Sequence, residues 1–148
     1  MGRTTKEVTI IGKIPAEIEN VLDDWFSENG FEVKDWHSDG TPFTIARWGG
    51  TEVSISPHAG NIAAIQMNRG VCIAFEISLR KEGNNTILHG EFYAAGREML
   101  IGAYELPLSS KPKVLDVIGI LPRRNGYEAM SSLLKKLEEF SGQPLIER

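Results

Sequence analysis

The most informative part of this chain is Val71–Ala95, VCIAFEISLRKEGNNTILHGEFYAA. Phe75 and Ile77 alternate with polar residues before a Gly-Asn turn, and Leu88 and Phe92 share one face of a second alternating run after it. A period of two on both sides of such a turn predicts an antiparallel hairpin. The hairpin has one apolar face, which another element of the chain must cover.

The other face of this hairpin carries ionisable residues. A loop formed by the Gly-Asn pair places Glu76 opposite Glu91, and a loop one residue earlier places Glu76 opposite His89. Facing carboxylates can share a proton or act as acid and base. Both registers put these groups on the polar face, so we expect a surface pair in water rather than a catalytic pair.

Two stretches with helical spacing flank the strand-forming region. The first follows Pro15, ends at an Asn-Gly pair, and has an apolar face of Ile18, Val21, Leu22, Trp25 and Phe26. The second ends at Gly142 and Pro144 and has an apolar face of Tyr127, Met130, Leu133, Leu134, Leu137 and Phe140. Burying both kinds of face together predicts an α+β fold, with an antiparallel sheet packed against the C-terminal helix.

Further alternating runs complete the predicted sheet. A strand at residues 6–12 precedes the first helix, and six strands follow it as a meander, at residues 31–37, 43–48, 51–56, 61–67, 71–80 and 86–94. The Gly-Gly turn after Trp48 pairs Arg47 with Glu52 and brings unlike faces together, which predicts a bulge. We expect a single domain over residues 1–148, with an irregular segment at 97–124.

The composition limits the classes of function. The chain has 148 residues and a net charge of -4, which disfavours non-specific binding to nucleic acid or to anionic membranes. None of its apolar runs approaches the ~20 residues that a membrane span requires. The single cysteine, Cys72, cannot form an intramolecular disulfide and predicts a reducing, cytoplasmic setting. His37, His58 and His89 lack the spacing of metal ligands, so we expect neither a metal nor a cofactor.

The element order resembles that of the START-type helix-grip superfamily, which includes lipid-transfer domains, plant pathogenesis-related proteins and polyketide cyclases. The resemblance rests on the Gly-containing hairpins and on the strings at residues 74–79 and 85–88, and it covers residues 6–94 and 125–142. It implies a curved sheet that wraps the terminal helix and leaves an apolar cavity. In such proteins this cavity often holds a hydrophobic ligand.

The resemblance therefore implies a small binding protein for a hydrophobic or amphipathic molecule held between the sheet and the C-terminal helix. The expected ligand-binding side chains are Phe31, Val33, His37, Ile45, Phe75, Ile77, Phe92, Tyr127, Met130 and Leu134. One alternative is a protein-interaction module with a filled core, which binds a protein partner or a second copy through an apolar patch near residues 106–121. Another is a cyclase-like or hydrolase-like enzyme, for which Asp35 with His37 is the only candidate cluster.

Overall fold

The structure is a computed structural model, and it describes residues 2–34, 43–48, 51–55, 62–98, 102–112 and 120–148. At residues 34, 43–48, 51–55, 97–98 and 102–104 it describes the backbone alone. The helices are α1 (Pro15–Glu28) and α2 (Ile120–Ser141). The strands are β1 (Thr4–Ile10), β2 (Glu32–Lys34), β3 (Phe43–Trp48), β4 (Thr51–Ile55), β5 (Ile62–Asn68), β6 (Val71–Glu82), β7 (Asn85–Glu98), β8 (Gly102–Pro107) and β9 (Ile146–Glu147).

Seven of these strands form one antiparallel sheet. Its order is β2-β5-β6-β7-β1-β9, and β8 pairs with the part of β7 that extends beyond β1. β1 and β8 therefore lie end to end along the same edge of β7. β3 and β4 form a separate two-stranded sheet. The class is α+β with an antiparallel sheet and a C-terminal helix, as the sequence predicts.

The central hairpin has the register of a Gly-Asn loop. Glu82 pairs with Asn85 around the turn, and Glu76 lies opposite Glu91. The preceding turn, between β5 and β6, uses two residues with positive φ, Arg69 at 52° and Gly70 at 81°. Two consecutive positive φ angles match the right-handed twist of a hairpin.

The β3–β4 hairpin also follows its predicted pairing. Arg47 lies opposite Glu52, and the register shifts between Thr44 and Ala46. This shift confirms the expected bulge, because one strand has an extra residue opposite its partner at this point.

The strand connectivity departs from the predicted meander. β2 pairs with β5, because β3 and β4 leave the main sheet and form their own. The segment expected to be irregular, residues 97–124, contains regular structure at both ends, since β7 reaches Glu98, β8 follows, and α2 begins at Ile120. Pro122 lies in the first turn of α2, where a missing N–H removes no intrahelical hydrogen bond.

α1 begins and ends where local chemistry predicts. The Glu17 carboxylate accepts a hydrogen bond from the backbone N–H of Ile14 at 3.2 Å, immediately before the helix. At the other end the Asn29 side-chain amide donates to the carbonyl of Trp25 at 2.8 Å, and Gly30 adopts a φ of 74°. A left-handed glycine after the last turn is a common helix stop.

An aromatic cluster joins α1 to one face of the sheet, here called the helix face. Phe75 lies at its centre, with its ring centroid 4.7 Å from that of Phe31 and 4.8 Å from that of Phe92. Trp25 and Phe26 of α1 also contact Phe75. These distances lie in the range of direct aromatic contact, so the rings themselves fill this part of the core.

Two glycines allow close approach on the helix face. A Cβ atom at Gly126 of α2 would lie 2.8 Å from Leu108 and 3.1 Å from Ile73. A Cβ at Gly90 of β7 would collide with the ring of Phe92, which lies over that glycine. α2 therefore packs directly on the sheet.

The opposite face of the sheet, here called the second face, is buried as well. Ala63, Ala74 and Tyr93 project from β5, β6 and β7 on this side, and each is at most 1% exposed. β3 lies close to β6, and β4 lies close to β7, without joining their ladder. The sheet is thus a layer that is covered on both sides.

Candidate functional site

The side chains expected to line a ligand cavity form a packed core where the structure describes them. Phe75, Ile77 and Phe92 have no accessible surface, and Met130 and Phe31 are 1% and 6% exposed. A side chain that no water-sized sphere can touch borders no void large enough to hold a water molecule, and protein interiors are generally packed this densely. A ligand at this position would have to displace these side chains.

The remaining expected lining residues lie in several environments. Tyr127 and Leu134 are half-buried and pack against the core from α2. Val33, expected to point inward beside Phe31, is 46% exposed at the edge of the sheet. Asp35 and His37 lie outside the described residues, as does the side chain of Ile45.

The second face carries a group of ionisable side chains, here called the Arg3 cluster: Arg3, Glu76, Glu91, Tyr93 and Glu105. The Glu76 side chain lies at its centre and has no accessible surface. The expectation that Glu76 and Glu91 lie in water is therefore wrong for Glu76, and Glu91 retains only 15% exposure. Strand alternation identifies the face on which a residue lies, but it does not tell whether that face is covered.

Arg3 holds the cluster together from the junction of β1 and β8. Its guanidinium donates to both carboxylate oxygens of Glu105, at 3.1 and 2.7 Å, and Nη1 donates to Glu76 at 2.7 Å. Nη1 also lies 3.6 Å from Glu91. The guanidinium carbon sits 4.0 Å from the centroid of the Tyr93 ring, in a cation–π contact. The carboxylates of Glu76 and Glu105 therefore share one cation, the Arg3 side chain, which is 7% exposed.

Tyr93 completes the inner part of the cluster by donating its hydroxyl hydrogen bond to Glu76. Burial raises the pKa of Tyr93 well above its ordinary value, and the charge of Glu76 raises it further. Burial alone would lower the pKa of Arg3, but the hydrogen bond to Glu105 and the surrounding negative charge raise it overall. Tyr93 stays a neutral donor and Arg3 stays a cation at physiological pH.

The polar groups continue from the cluster toward solvent. His89 Nε2 lies 3.7 Å from Glu91, and His89 Nδ1 lies 3.1 Å from Glu7. Glu7 also accepts a hydrogen bond from Arg80 at 3.2 Å. The hydrogen bonds from His89 and then from Arg80 lower the pKa of Glu7. A continuous ionic stripe therefore crosses β8, β6, β7 and β1 on the second face.

This arrangement satisfies charge within the fold. The Glu76 carboxylate already accepts hydrogen bonds from Arg3 and Tyr93, so a substrate would compete with these two side chains for it. Sequence reasoning missed Arg3 and Tyr93. The alternation of Arg3, Thr5 and Glu7 predicts that Arg3 lies on the polar face of the sheet. Its ion pairs with Glu105 of β8 and Glu76 of β6 depend on tertiary structure, which the local sequence does not indicate.

A shallow groove runs along the edge where α2 meets β1 and β9. Its walls comprise Val8, Ser131, Leu134, Lys135, Glu138, Leu145 and Glu147. Leu145 packs against the core there, and its backbone N–H donates to Glu138 at 3.2 Å. The C-terminal segment, residues 143–148, thus contributes Leu145 and Glu147 to one side of an open groove with both apolar and charged walls.

Other classes of site are not found in the described part of the chain. Among residues 2–34, 62–98, 102–112 and 120–148, no group of three or more potential ligands is placed to hold a metal ion. None of the described helices is both long and apolar enough to cross a bilayer. Cys72 is buried, and burial raises the pKa of its thiol to about 12, so it lacks the thiolate character of a reactive cysteine.

Comparison with known proteins finds no matching family model, no matching curated protein and no matching solved structure.

Proposed function

We propose that this chain is a protein-interaction module with a filled core. The packing of the helix face supports this most strongly, because Phe75, Ile77 and Phe92 have no accessible surface and α2 meets the sheet at Gly126. Cavities that hold drug-sized ligands are about 300–1,000 Å³ in volume. Creating one here would require the aromatic cluster to come apart.

We further propose that the sheet and α2 form a variant of the helix-grip arrangement. The strand order β2-β5-β6-β7-β1 and a C-terminal helix on one face support this proposal. In such a variant, aromatic side chains occupy the space that the resemblance assigns to a ligand. The resemblance also implies a carrier of a hydrophobic molecule. In this variant, the core would have to open before such a molecule could bind.

The Arg3 cluster favours a structural role over catalysis. General acid–base chemistry requires an ionisable group within hydrogen-bond reach of a substrate. Glu76 is buried and already accepts from Arg3 and Tyr93, while the exposed end of the stripe consists of ion pairs around Glu7. We expect a reducing, cytoplasmic setting, in which the buried thiol of Cys72 stays unmodified.

Cross-linking in the organism of origin tests the interaction proposal. The tagged full chain would be cross-linked in living cells, purified under denaturing conditions and analysed by mass spectrometry. The expected result is one defined protein, or a second copy of this chain, joined to it at high yield. Recovery of only the bare chain, at several cross-linker lengths and growth conditions, would contradict an interaction module.

A further inference from the structure

The outer edge of β1 is covered by the C-terminal segment. We propose that this edge is a strand-binding site, which residues 145–148 occupy as an internal ligand and which an extended segment of a partner protein occupies in their place. This inference rests on the proposed function, because it assigns a surface and a class of partner to the interaction module.

The backbone contacts define how a strand binds there. Val8 pairs with Glu147, and Thr9 pairs with Ile146, in the antiparallel direction. The backbone N–H of Arg148 donates to the carbonyl of Glu7 at 2.9 Å. Addition of an extended peptide to a sheet edge is a recurring mode of peptide recognition, in which main-chain hydrogen bonds supply affinity and alternate side chains supply specificity.

The side chains of the segment show which chemistry this edge accepts. Leu145 packs against the core beside Leu134. Glu147 lies 3.5 Å from the ammonium of Lys6. Ile146 between them is 52% exposed. The segment therefore has an apolar residue that contacts the core, then an exposed residue, then an acidic residue beside Lys6.

Arg148 adds a basic position to this pattern. Its guanidinium lies 3.1 Å from Glu82 and 3.6 Å from Glu7, two carboxylates at the tip of the central hairpin and on β1. A partner segment complements these charges if it has four consecutive residues in this order: an apolar residue, any residue, an acidic residue and a basic residue. Partner strands with the two charges reversed meet Lys6 and Glu7 with like charge.

The segment is held in a way that allows replacement. Its ion pairs lie at the surface, where such pairs contribute little to stability. It follows a helix stop at Gly142, whose φ is 73°, and Pro144, which has no N–H to donate. Segments with few buried apolar contacts and exposed backbone hydrogen bonds open locally at low free energy.

A full-length variant with a released segment tests the proposal. Leu145→Asp with Arg148→Glu removes the apolar and basic contacts, and Ile146→Ser is the matched control because its side chain is exposed. The ligand is a fluorescein-labelled synthetic peptide of residues 142–148, Gly-Gln-Pro-Leu-Ile-Glu-Arg. We expect the released variant to bind it at least about tenfold more tightly than the wild-type or control chain, because a competing internal ligand lowers apparent affinity by its occupancy.

Three results would overturn the proposal. They are equal binding of the peptide by the wild-type and released chains, equal binding of a peptide with its last two charges reversed, and absence of binding by a released chain that keeps its native circular dichroism. If the released variant unfolds, wild-type chain titrated with millimolar peptide must show amide shift changes at Glu7–Thr9 in nuclear magnetic resonance spectra, and their absence would reject the site. A cross-linked partner found in cells together with a failed peptide experiment would leave the interaction module intact on another surface.

Discussion

Glu76 is a single residue that lies on the polar face of its strand and is nevertheless buried. A buried carboxylate depends on its hydrogen-bond partners for stability. Its carboxylate accepts from Arg3 at 2.7 Å and from the hydroxyl of Tyr93. The alternation of β6 correctly predicts the face and the facing residue, Glu91. Burial could not be predicted, because it depends on tertiary contacts such as the one with Arg3, which lies 73 residues away in the sequence.

Removal of the Tyr93 hydroxyl tests the inner hydrogen bond. Tyr93→Phe leaves the ring in place but deprives a buried carboxylate of one donor, and we expect a loss of about 1–3 kcal/mol in the free energy of unfolding. Chemical denaturation at pH 7 measures this quantity. Tyr127→Phe is the matched control on half-buried Tyr127. Equal losses of unfolding free energy in the two variants would show that the hydrogen bond from Tyr93 to Glu76 does not stabilise the fold.

Glu7 provides a prediction for acid stability. Its pKa is lowered from the ordinary value of 4.5, first by the hydrogen bond from His89 and then by that from Arg80. A carboxyl with a lowered pKa in the folded state stabilises the fold above its ordinary pKa, and this contribution is lost as pH falls through the folded pKa. The wild-type chain should therefore exceed Glu7→Gln in stability at pH 7.

Denaturation curves across the acid range check this expectation. The difference between wild type and Glu7→Gln should shrink steadily once pH falls below 4.5. Glu19→Gln, on the exposed face of α1, serves as the control for a simple change in net charge. A difference that stays constant from pH 7 to strongly acidic solution would argue against the ionised pair.

At the scale of elements, Arg3 joins strands that are not paired with each other. β1 and β8 meet end to end on β7, and the guanidinium of Arg3, the residue just before β1, donates to Glu105 of β8 and to Glu76 of β6. Arg3→Met removes the cation that lies 2.7 Å from the buried Glu76 carboxylate, for which we expect a loss of about 3–5 kcal/mol.

The matched control for Arg3 is Arg80→Met. Arg80 also pairs with a glutamate, but its side chain is 55% exposed, and such pairs contribute about 0–1 kcal/mol. Urea unfolding of both variants at pH 7 compares the two. A similar, small effect at the two positions would contradict a stabilising junction at Arg3.

The contact of α2 with the sheet gives a further element-scale prediction. A side chain at Gly126 would collide with Leu108 and press on Ile73, which is fully buried. We expect Gly126→Val to destabilise the fold by about 1–3 kcal/mol through overpacking. Thermal or urea unfolding checks this, with Ser132→Val on the exposed side of α2 as the control. A neutral Gly126→Val would indicate free space between helix and sheet.

Elements with strong local signals are the ones that the sequence predicts well. The central hairpin, α1 and the end of α2 depend on periodicity and on local stop residues such as Gly30 and Gly142. The pairing of β2 with β5 depends on which strands leave the sheet, and no local pattern records that choice. The same limit applies to the strand at residues 102–107, which falls within the segment expected to be irregular, because its pairing with β7 depends on tertiary structure.

At the scale of the whole molecule, one sheet has two different buried faces. The helix face is apolar and packed with aromatic rings, while the second face combines small residues with the Arg3 cluster. The α+β class could be predicted, because each amphipathic element needs an apolar partner. Whether the interior is hollow or filled could not, because it depends on side-chain volumes meeting across distant elements.

Native mass spectrometry of the full chain, purified from its own organism, tests whether the interior is filled. The sample would be kept free of detergent and compared with the same protein after denaturation and organic extraction. We predict that the native mass corresponds to bare polypeptide of 16.4 kDa per chain, alone or with protein partners. A stoichiometric small-molecule adduct that extraction removes would contradict it.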